Sequence, residues 1–322
     1  MSVLNYAFRR TLLIIPMLLG ISLISFSIIH LAPGSPAATL LGPKALDPAA
    51  LERVNSNLGL DKPIYLQYLN WISSIAQGDF GVSIGIMPGK SVADLIKSRI
   101  LPTLELSISA LLLALLVAIP IGVISATRQY STFDHLATIG AFSGISLPNF
   151  WLALMLILVF SVELGWLPSS GLIDPRINNP TILDYLRHLL IPAFVLGTAS
   201  MGGLVRFIRA SILEVLRQDY ILTARAKGLS ERRVLYKHAL RNALLPLVTI
   251  IGMSIPGLLS GAVLVETVTG WPGMGRLAVN AVFARDYPII MALVMIFSLL
   301  VILGNLIADI VYSYVDPRIR YE

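Results

Sequence analysis

Six long stretches of this chain contain no aspartate, glutamate, lysine, arginine or histidine, and this pattern constrains the fold more than any other feature. A helix that crosses the hydrocarbon core of a bilayer needs about 20 apolar residues. Soluble proteins carry about 25% charged residues, whereas this chain of 322 residues is 13% charged and 56% hydrophobic. The sequence therefore predicts an all-α, polytopic membrane protein with six transmembrane helices, at Thr11–Ile29, Leu106–Thr127, Leu136–Val162, Leu189–Val205, Asn242–Val265 and Tyr287–Ala308.

The first stretch follows Arg9 and Arg10, as the core of a signal peptide would. It exceeds the usual core of about 7–15 residues and is not followed by a suitable cleavage site, so we expect a retained helix. Lysine and arginine favour the cytoplasmic side of a membrane. With both termini inside, nine basic residues between Arg206 and Arg241 are cytoplasmic, and the two short external loops hold only Arg176, Arg187, Arg276 and Arg285. The sequence predicts an N-in, C-in topology.

The long segment between the first two spans predicts a small extracytoplasmic lobe. Its pattern favours a helix over Ile64–Ile75, and the aromatic residues Tyr65, Tyr68 and Trp71 are expected to pack or to anchor at the membrane interface. The chain then divides into four parts, which are an N-terminal transmembrane helix (1–30), the lobe (31–99), a transmembrane domain (100–313) and a cytoplasmic tail (314–322).

The loop between the fourth and fifth spans, Arg206–Arg241, carries nine basic and three acidic residues. Positive-inside topology accounts for this charge, but it does not account for the pattern. Asp219 can cap a short helix that contains small residues, Gly228 can end it with a left-handed residue, and Ser230 can start the next helix. A short helix, a sharp break and a second helix leading into a span predict a docking element.

This loop resembles the cytoplasmic loop of permeases from binding-protein-dependent ABC importers. It is most similar to the first permease subunit of the dipeptide, oligopeptide, nickel and glutathione group. The matching letters are DYILTARAKGLSERRV from Asp219 and HALRNALLP from His238. The general motif begins Glu-Ala-Ala, and Leu222-Thr223-Ala224 stands in its place here, as is common in the peptide group.

Other segments extend the resemblance along nearly the whole chain. In the first of them, Ser35 stands where the group usually has aspartate. The segments are His30–Pro36, Leu58–Pro63, Gly78–Ser83, Trp271–Arg276, Arg285–Pro288 and Asp316–Arg318.

The resemblance implies a type I ABC importer permease fold in the cell inner membrane. It also implies a homologous second permease, two cytoplasmic ATPases that bind ATP and magnesium, and an extracytoplasmic solute-binding protein. The chain itself would bind no cofactor and no nucleic acid. The short helix would be the coupling helix, seated in a groove of one ATPase. The coupling residues would be Asp219, Tyr220, Leu222, Thr223, Ala224, Arg225, Ala226, Lys227, Gly228 and Leu229.

Two apparent nucleotide motifs do not fit their chemistry. The letters GIMPGKS from Gly85 have three residues between the glycines, where a phosphate-binding loop needs four. The letters GMGRLA from Gly273 follow a Trp-Pro pair rather than a strand. The four histidines lie in separate segments without metal-ligand spacing. The sequence therefore predicts a protein that is not an enzyme and that takes its energy from partners.

An ion-coupled transporter or a channel is the alternative class. It would need ionisable residues along a membrane pathway, and the candidates lie near span ends, where capping or interfacial roles are favoured. They are Glu105, Glu163, Glu266 and Asp309. No internal repeat is visible, which weighs against transporters built from inverted repeats within one chain.

The fifth span is rich in small residues and contains a proline, so it can bend or pack tightly. Because the coupling loop leads into this span, a gate is a reasonable hypothesis for its middle. Its residues would be Met253, Ser254, Pro256 and Gly257. Short peptides are the favoured substrate, and nickel, glutathione or oligosaccharides remain alternatives within the group.

Overall fold

The protein is described by a computed structural model that covers residues 3–31, 36–41, 47–57, 59–260 and 262–315. These residues form helices joined by turns, with one short antiparallel bridge between Val82 and Ser91. Two stretches, Ile157–Glu163 and Val234–Leu240, are π-helical. The α-helices are α1 (Val3–Leu31), α2 (Pro36–Leu41), α3 (Pro48–Asn57), α4 (Ile64–Ala76), α5 (Val92–Thr127), α6 (Thr132–Ser146), α7 (Asn149–Leu156), α8 (Ile182–Leu216), α9 (Asp219–Ala226), α10 (Glu231–Arg233), α11 (Arg241–Ala243), α12 (Leu245–Ser260), α13 (Val263–Val268), α14 (Met274–Phe283) and α15 (Tyr287–Val315).

Four of the six predicted spans lie within single long apolar helices, which are α1, α5, α8 and α15. Prolines occur inside α1, α5 and α8 without ending them. Membrane helices tolerate proline because neighbouring groups satisfy the freed carbonyl. Arg206 lies within α8. An arginine side chain is long enough to reach the membrane interface from such a position.

The third predicted span is bent, and its description as one continuous helix is wrong. α6 and α7, the latter with its π-helical continuation, meet at 105°. Leu147 between them is extended (φ −79°, ψ 127°). A residue before proline disfavours the helical conformation, so Pro148 accounts for the break.

The fifth predicted span is divided among α11, α12 and α13. α12 has 16 residues, fewer than the roughly 20 that cross a bilayer core. Pro246 is the second residue of α12. Proline is tolerated there because the N–H groups of the first turn have no acceptor within the helix. The described part of the chain therefore contains four long apolar helices and one bent pair, fewer than six clear spans.

The segment between α1 and α5 contains the predicted helix, observed as α4. Tyr68 and Trp71 pack against Phe26 of α1, with ring centroids 5.4 Å and 5.8 Å from that of Phe26. The boundary expected at residues 99 and 100 falls inside α5, because this helix already begins at Val92. Asp316–Arg318 and most of the predicted tail lie outside the described residues.

The centre of the fold is α8, which packs against α5 on one side and α6 on the other. Glycines allow the backbones to approach closely, as in many membrane helix pairs. A Cβ at Gly202 would clash with the carbonyl oxygen of Ala141 in α6. The start of α6 is also tied to α8 by a paired contact, in which Arg209 donates to both oxygens of Asp134 at 2.7 Å and 2.8 Å.

We expect Gly202→Ala to lower the thermal stability of the purified protein, because the added methyl group would push α6 and α8 apart. Overpacking of this kind costs about 1–3 kcal/mol. Gly203→Ala is the matched control, since it changes the next residue of α8 and its Cβ would meet no atom within 4 Å. Thermal unfolding in detergent measures both variants. Equal melting temperatures would show that the contact does not depend on glycine.

Candidate docking loop and transmembrane cavity

The short helix predicted after the fourth span is present as α9. Its N-cap residue is Gln218, and no side chain caps the helix. The prediction that Asp219 caps this helix is wrong, because Asp219 is its first residue. A carboxylate in the first turn still interacts favourably with the positive end of the helix dipole.

Gly228 ends α9 with a left-handed residue, as predicted, at φ +77°. Its N–H donates to the carbonyl of Arg225 at 2.9 Å, and the N–H of Leu229 donates to the carbonyl of Ala224 at 3.4 Å. These two bonds define the Schellman motif, which satisfies the last carbonyls of a helix. The chain therefore turns sharply at this glycine and enters α10.

α9 has one face buried in its own chain and one face exposed. Ile221 is completely buried and, with Ala224, packs against Val234 and Ala239. Ala224 was expected among the coupling residues, but its methyl group packs inside the loop and is not available to a partner. Leu229 is half-buried. The exposed residues are Asp219, Tyr220, Leu222, Thr223, Arg225, Ala226, Lys227 and Gly228.

Two contacts tie α9 to the chain that follows it. Arg225 donates to both carboxylate oxygens of Glu231 at 3.0 Å and 3.1 Å, across the Gly228 turn. Asn242 donates from Nδ2 to the hydroxyl oxygen of Tyr220 at 3.1 Å. Both contacts are exposed, so each contributes only about 1 kcal/mol or less. Their importance is geometric, because they connect the two ends of α9 to the segment that leads into α12.

A cavity of about 470 Å³ lies between α5, α8 and α12, and three of the four predicted gate residues line it. Met253 is 66% exposed, and Ser254 and Gly257 follow it on the cavity wall. The side chain of Pro256, the fourth, lies outside the described part. The wall is mostly apolar, with hydroxyl groups from Ser107, Ser200 and Ser254.

The candidate docking loop, residues 206–241, leads directly into α12, which lines the cavity. Asn242, which contacts α9, precedes the start of α12 at Leu245 by three positions. From Leu245 to Met253 the helix rises about 12 Å, at roughly 1.5 Å per residue. A displacement of α9 can therefore reach the cavity wall through one short helix, a link that the sequence indicated only by chain order.

Two of the candidate intramembrane carboxylates, Glu266 and Glu105, have hydrogen-bond partners. Glu266 is completely buried, accepts from Thr103 Oγ1 at 2.9 Å, and caps α14 by accepting from the N–H of Arg276 at 3.0 Å. This confirms the capping role. A Cβ at Gly273 would clash with the Glu266 carboxylate, which accounts for the glycine.

Of the other three candidate carboxylates, the structure describes the side chains of Glu105 and Glu163. Glu105 accepts from the hydroxyl of Tyr185, and Glu163 is the exposed last residue of the π-helical continuation of α7. The side chain of Asp309 lies outside the described residues. Among the described residues, no group of three or more His, Asp or Glu could hold a metal ion.

A second buried carboxylate, Asp286, was not selected as functional from the sequence. It accepts from Ser83 Oγ and from the backbone N–H groups of Ile84, Gly85 and Ile86, at 3.3 Å, 3.0 Å and 3.0 Å. Ser83 and Asp286 belong to two of the motifs that carry the family resemblance. That shared membership is the signal that could have paired them. The carboxylate holds residues 83–86 of the lobe against the start of α15.

The arrangement of these helices is similar to that of solved transporter chains. Over 70% of this chain and 97% of the other, the fold is similar to a chain of the MetNI methionine ABC transporter in inward-facing conformations, with a TM-score of 0.53 and 20% identity. A chain of an amino acid ABC transporter with histidines gives 0.51 at 15% identity, over 70% and 94% of the two chains. At such identities the likeness shows the fold alone, which is that of an ABC importer permease.

Sequence comparison identifies the family. Residues 118–321 match the binding-protein-dependent transport system inner membrane component, and residues 3–107 match the N-terminal part of such membrane components. The chain belongs to this family, as its motifs predicted. It is therefore a multi-pass inner-membrane permease component of a transport system.

Curated relatives cover nearly the full chain. The oligopeptide transport system permease protein AppB of Bacillus subtilis (strain 168) is 50% identical over 98% of this chain and 99% of its own length. The dipeptide transport system permease protein DppB of Alkalihalophilus pseudofirmus is 42% identical over 99% and 100%. The glutathione transport system permease protein GsiC of Escherichia coli (strain K12) is 44% identical, also over 99% and 100%.

We expect Asp286→Ala to destabilise the protein, because three backbone N–H groups and one hydroxyl lose their acceptor. An unsatisfied buried donor costs about 1–3 kcal/mol. Asp94→Ala is the control, since Asp94 is a carboxylate in the first turn of α5 that is less buried than Asp286. Thermal unfolding in detergent compares the two variants. A melting temperature for Asp286→Ala that matches the control would contradict the role assigned to this carboxylate.

Proposed function

We propose that this chain is one of two transmembrane subunits of an ATP-driven importer for short peptides. The observation that carries the proposal is the link from the exposed face of α9, through Asn242, to the helix that lines the cavity. The relatives at 50% and 42% identity are named for oligopeptide and dipeptide transport, which supports a peptide substrate. Glutathione is the first alternative substrate, because GsiC is 44% identical. Nickel and oligosaccharides follow glutathione as substrates known within the same group.

The proposed topology has six spans with both termini in the cytoplasm. The bent pair α6–α7 forms the third span, and α11 to α13 together form the fifth. The distribution of basic residues supports this orientation, because nine of them lie between Arg206 and Arg241. The lobe over residues 31–99 is extracytoplasmic, where a solute-binding protein delivers the substrate. The transmembrane domain covers 100–313, and the tail 314–322 is cytoplasmic.

Coupling takes place at α9, which lies in a groove of one of the two ATPases. Its exposed residues provide the contact surface, and Leu222, 55% exposed, supplies apolar area. ATP and magnesium are bound by the ATPases, and this chain binds no cofactor of its own. When the ATPases close, α9 moves, and the contacts of Glu231 and Asn242 transmit that movement towards α12.

The cavity is this chain's half of the translocation pathway, and the homologous second permease supplies the other half. Its lining has apolar groups and three serine hydroxyls but no charged side chain among the described residues. Such a wall can line a path for peptides with different side chains without binding any one of them tightly. Selectivity is then set mainly by the solute-binding protein.

We expect Gly228→Val to leave membrane insertion intact but to weaken retention of the ATPases and to uncouple ATP hydrolysis from uptake. A β-carbon in the left-handed region costs roughly 1–2 kcal/mol, and relieving that strain would change the angle at which α9 ends. The measurements are co-purification of the whole complex, ATP hydrolysis and peptide uptake, all on the same preparation.

Gly165→Val is the matched control for Gly228→Val. Gly165 also has a positive φ, +63°, and both glycines have open space around the position of an added Cβ. It follows the π-helical continuation of α7, far along the chain from α9. If Gly228→Val keeps its ATPases and transports at the wild-type rate, the coupling role of this turn is wrong.

We expect a cysteine at Met253 or Ser254 to react with a water-soluble maleimide in a manner that depends on nucleotide. The chain has no cysteine, so the label reports only the introduced site. Ile212→Cys is the control, because Ile212 is completely buried in the helix core. Labelling rates are compared with and without a non-hydrolysable ATP analogue. Rates at positions 253 and 254 as low as the control in both states would exclude them from the pathway.

Uptake into vesicles separates the importer from the alternative class. We expect uptake to require ATP and the ATPases, and to persist when ionophores collapse the proton and sodium gradients. Uptake that follows an ion gradient without ATP would instead support an ion-coupled transporter.

A further inference from the structure

We propose that a second cavity, between α1, the lobe and the start of α15, binds a ligand with a primary ammonium group attached to an apolar chain. The cavity has a volume of about 590 Å³. Ligand sites usually have volumes of about 300–1,000 Å³ and combine apolar walls with a few polar groups. This site is separate from the transmembrane cavity that Met253 lines.

Charge is the first reason for choosing a cation. Asp79 is a carboxylate on the cavity wall, and no lysine or arginine among the described residues lines the cavity. Its Oδ1 accepts from the N–H of Gly81 at 2.9 Å, which orients the carboxylate. Within the described residues, Oδ2 accepts no hydrogen bond, so it can accept one from a ligand.

Aromatic rings are the second reason. Four of them line the cavity, contributed by Phe26, Trp71, Phe80 and Tyr287. The faces of aromatic rings attract ammonium groups, and an attraction of this kind contributes about 0.5–1 kcal/mol at exposed sites. A carboxylate with several aromatic rings is a combination that selects organic cations over neutral or anionic ligands.

The wall on the α1 side is held by its own hydrogen bonds. The two ring nitrogens of His30 lie 2.9 Å from the carbonyl oxygen of Phe26 and 3.1 Å from Oε1 of Gln67. Gln67 in turn donates to the carbonyls of Leu60 and Lys62 at 3.1 Å and 2.8 Å. These contacts fix the positions of His30 and Gln67, and the acidic side chain on the described cavity wall is that of Asp79.

Four of the motifs that the coupling loop does not explain meet at this cavity. They begin in the sequence at His30, Leu58, Gly78 and Arg285, and each contributes lining residues. Segments so far apart in the chain come together here through the packing of α1, α4 and α15. The convergence accounts for motifs that neither the docking loop nor the transmembrane cavity uses.

Two sources could supply the ligand chemistry. One is the amino terminus of a short peptide, and the other is the headgroup of an aminophospholipid such as phosphatidylethanolamine. The apolar residues Ile29, Ile84 and Met291 would contact the attached chain in either case. The shared element is the protonated amine beside Asp79.

The test uses the purified full-length protein in detergent and two matched pairs of probes. One pair is the dipeptide Ala-Phe and its N-acetyl derivative, measured by equilibrium dialysis. The other pair is phosphatidylethanolamine and its N-acetyl derivative, measured by native mass spectrometry. Acetylation removes the positive charge and leaves the rest of each probe in place.

Asp79→Asn keeps the oxygen that accepts from Gly81 but removes the charge. We expect it to weaken binding of the free-amine probe about fivefold, the effect of roughly 1 kcal/mol at a partly exposed charge. Trp71→Phe, a second variant that retains a smaller ring, should weaken it about twofold. Glu52→Gln changes an exposed lobe carboxylate outside the cavity and should have no effect.

The free-amine member of one pair should bind more tightly than its acetylated partner, and the pair in which this occurs identifies the source. Equal binding of both members in both pairs overturns the proposal, as does the absence of binding. Wild-type binding by a folded Asp79→Asn variant also overturns it. If Asp79→Asn does not fold, wild-type binding by Trp71→Phe overturns it instead. None of these outcomes depends on ATP hydrolysis or uptake, so they leave the proposed importer function to its own tests.

Discussion

The hydrocarbon core of a bilayer offers no hydrogen-bond partners to the backbone, and the rest of the structure depends on this constraint. Each long segment satisfies its own N–H and C=O groups as a helix. Neighbouring helices then gain stability from close packing, which small residues allow, and from polar contacts between helices. α8 shows the result, because Gly202 allows the backbone of α6 to approach closely and Asp134 joins α6 to Arg209. The docking loop and the cavity both adjoin this packed centre.

The candidate docking loop, residues 206–241, is joined directly to that packed centre. α9 follows α8 after a short turn, and Ile221 anchors it to the same chain. The chain turns sharply at Gly228, and Asn242 connects the start of α9 to the segment before α12. A short helix packed on one face and exposed on the other can receive a partner without losing its own position. The exposed contacts across it are weak, so they would permit the movement that the proposed coupling requires.

The far side of the fold uses buried carboxylates instead. Glu266 and Asp286 are both completely buried. Glu266 accepts a hydrogen bond from one backbone N–H group and Asp286 accepts from three. A buried charge is costly unless it is fully hydrogen-bonded. These carboxylates therefore act as fixed points that hold irregular loops against helix ends. Both residues are better explained by this role than by ion transport.

Much of this protein could be predicted from local sequence properties. The absence of charge over about 20 residues is a local property, so α1, α5, α8 and α15 were predictable. Gly228 was predictable as a helix stop, because glycine adopts positive φ with little strain. Tertiary structure decided how distant segments meet. It divided the fifth span, buried Ala224, brought Ser83 to Asp286 and enclosed both cavities. These features arise from contacts between residues as far as 203 positions apart, and no local pattern specifies such contacts.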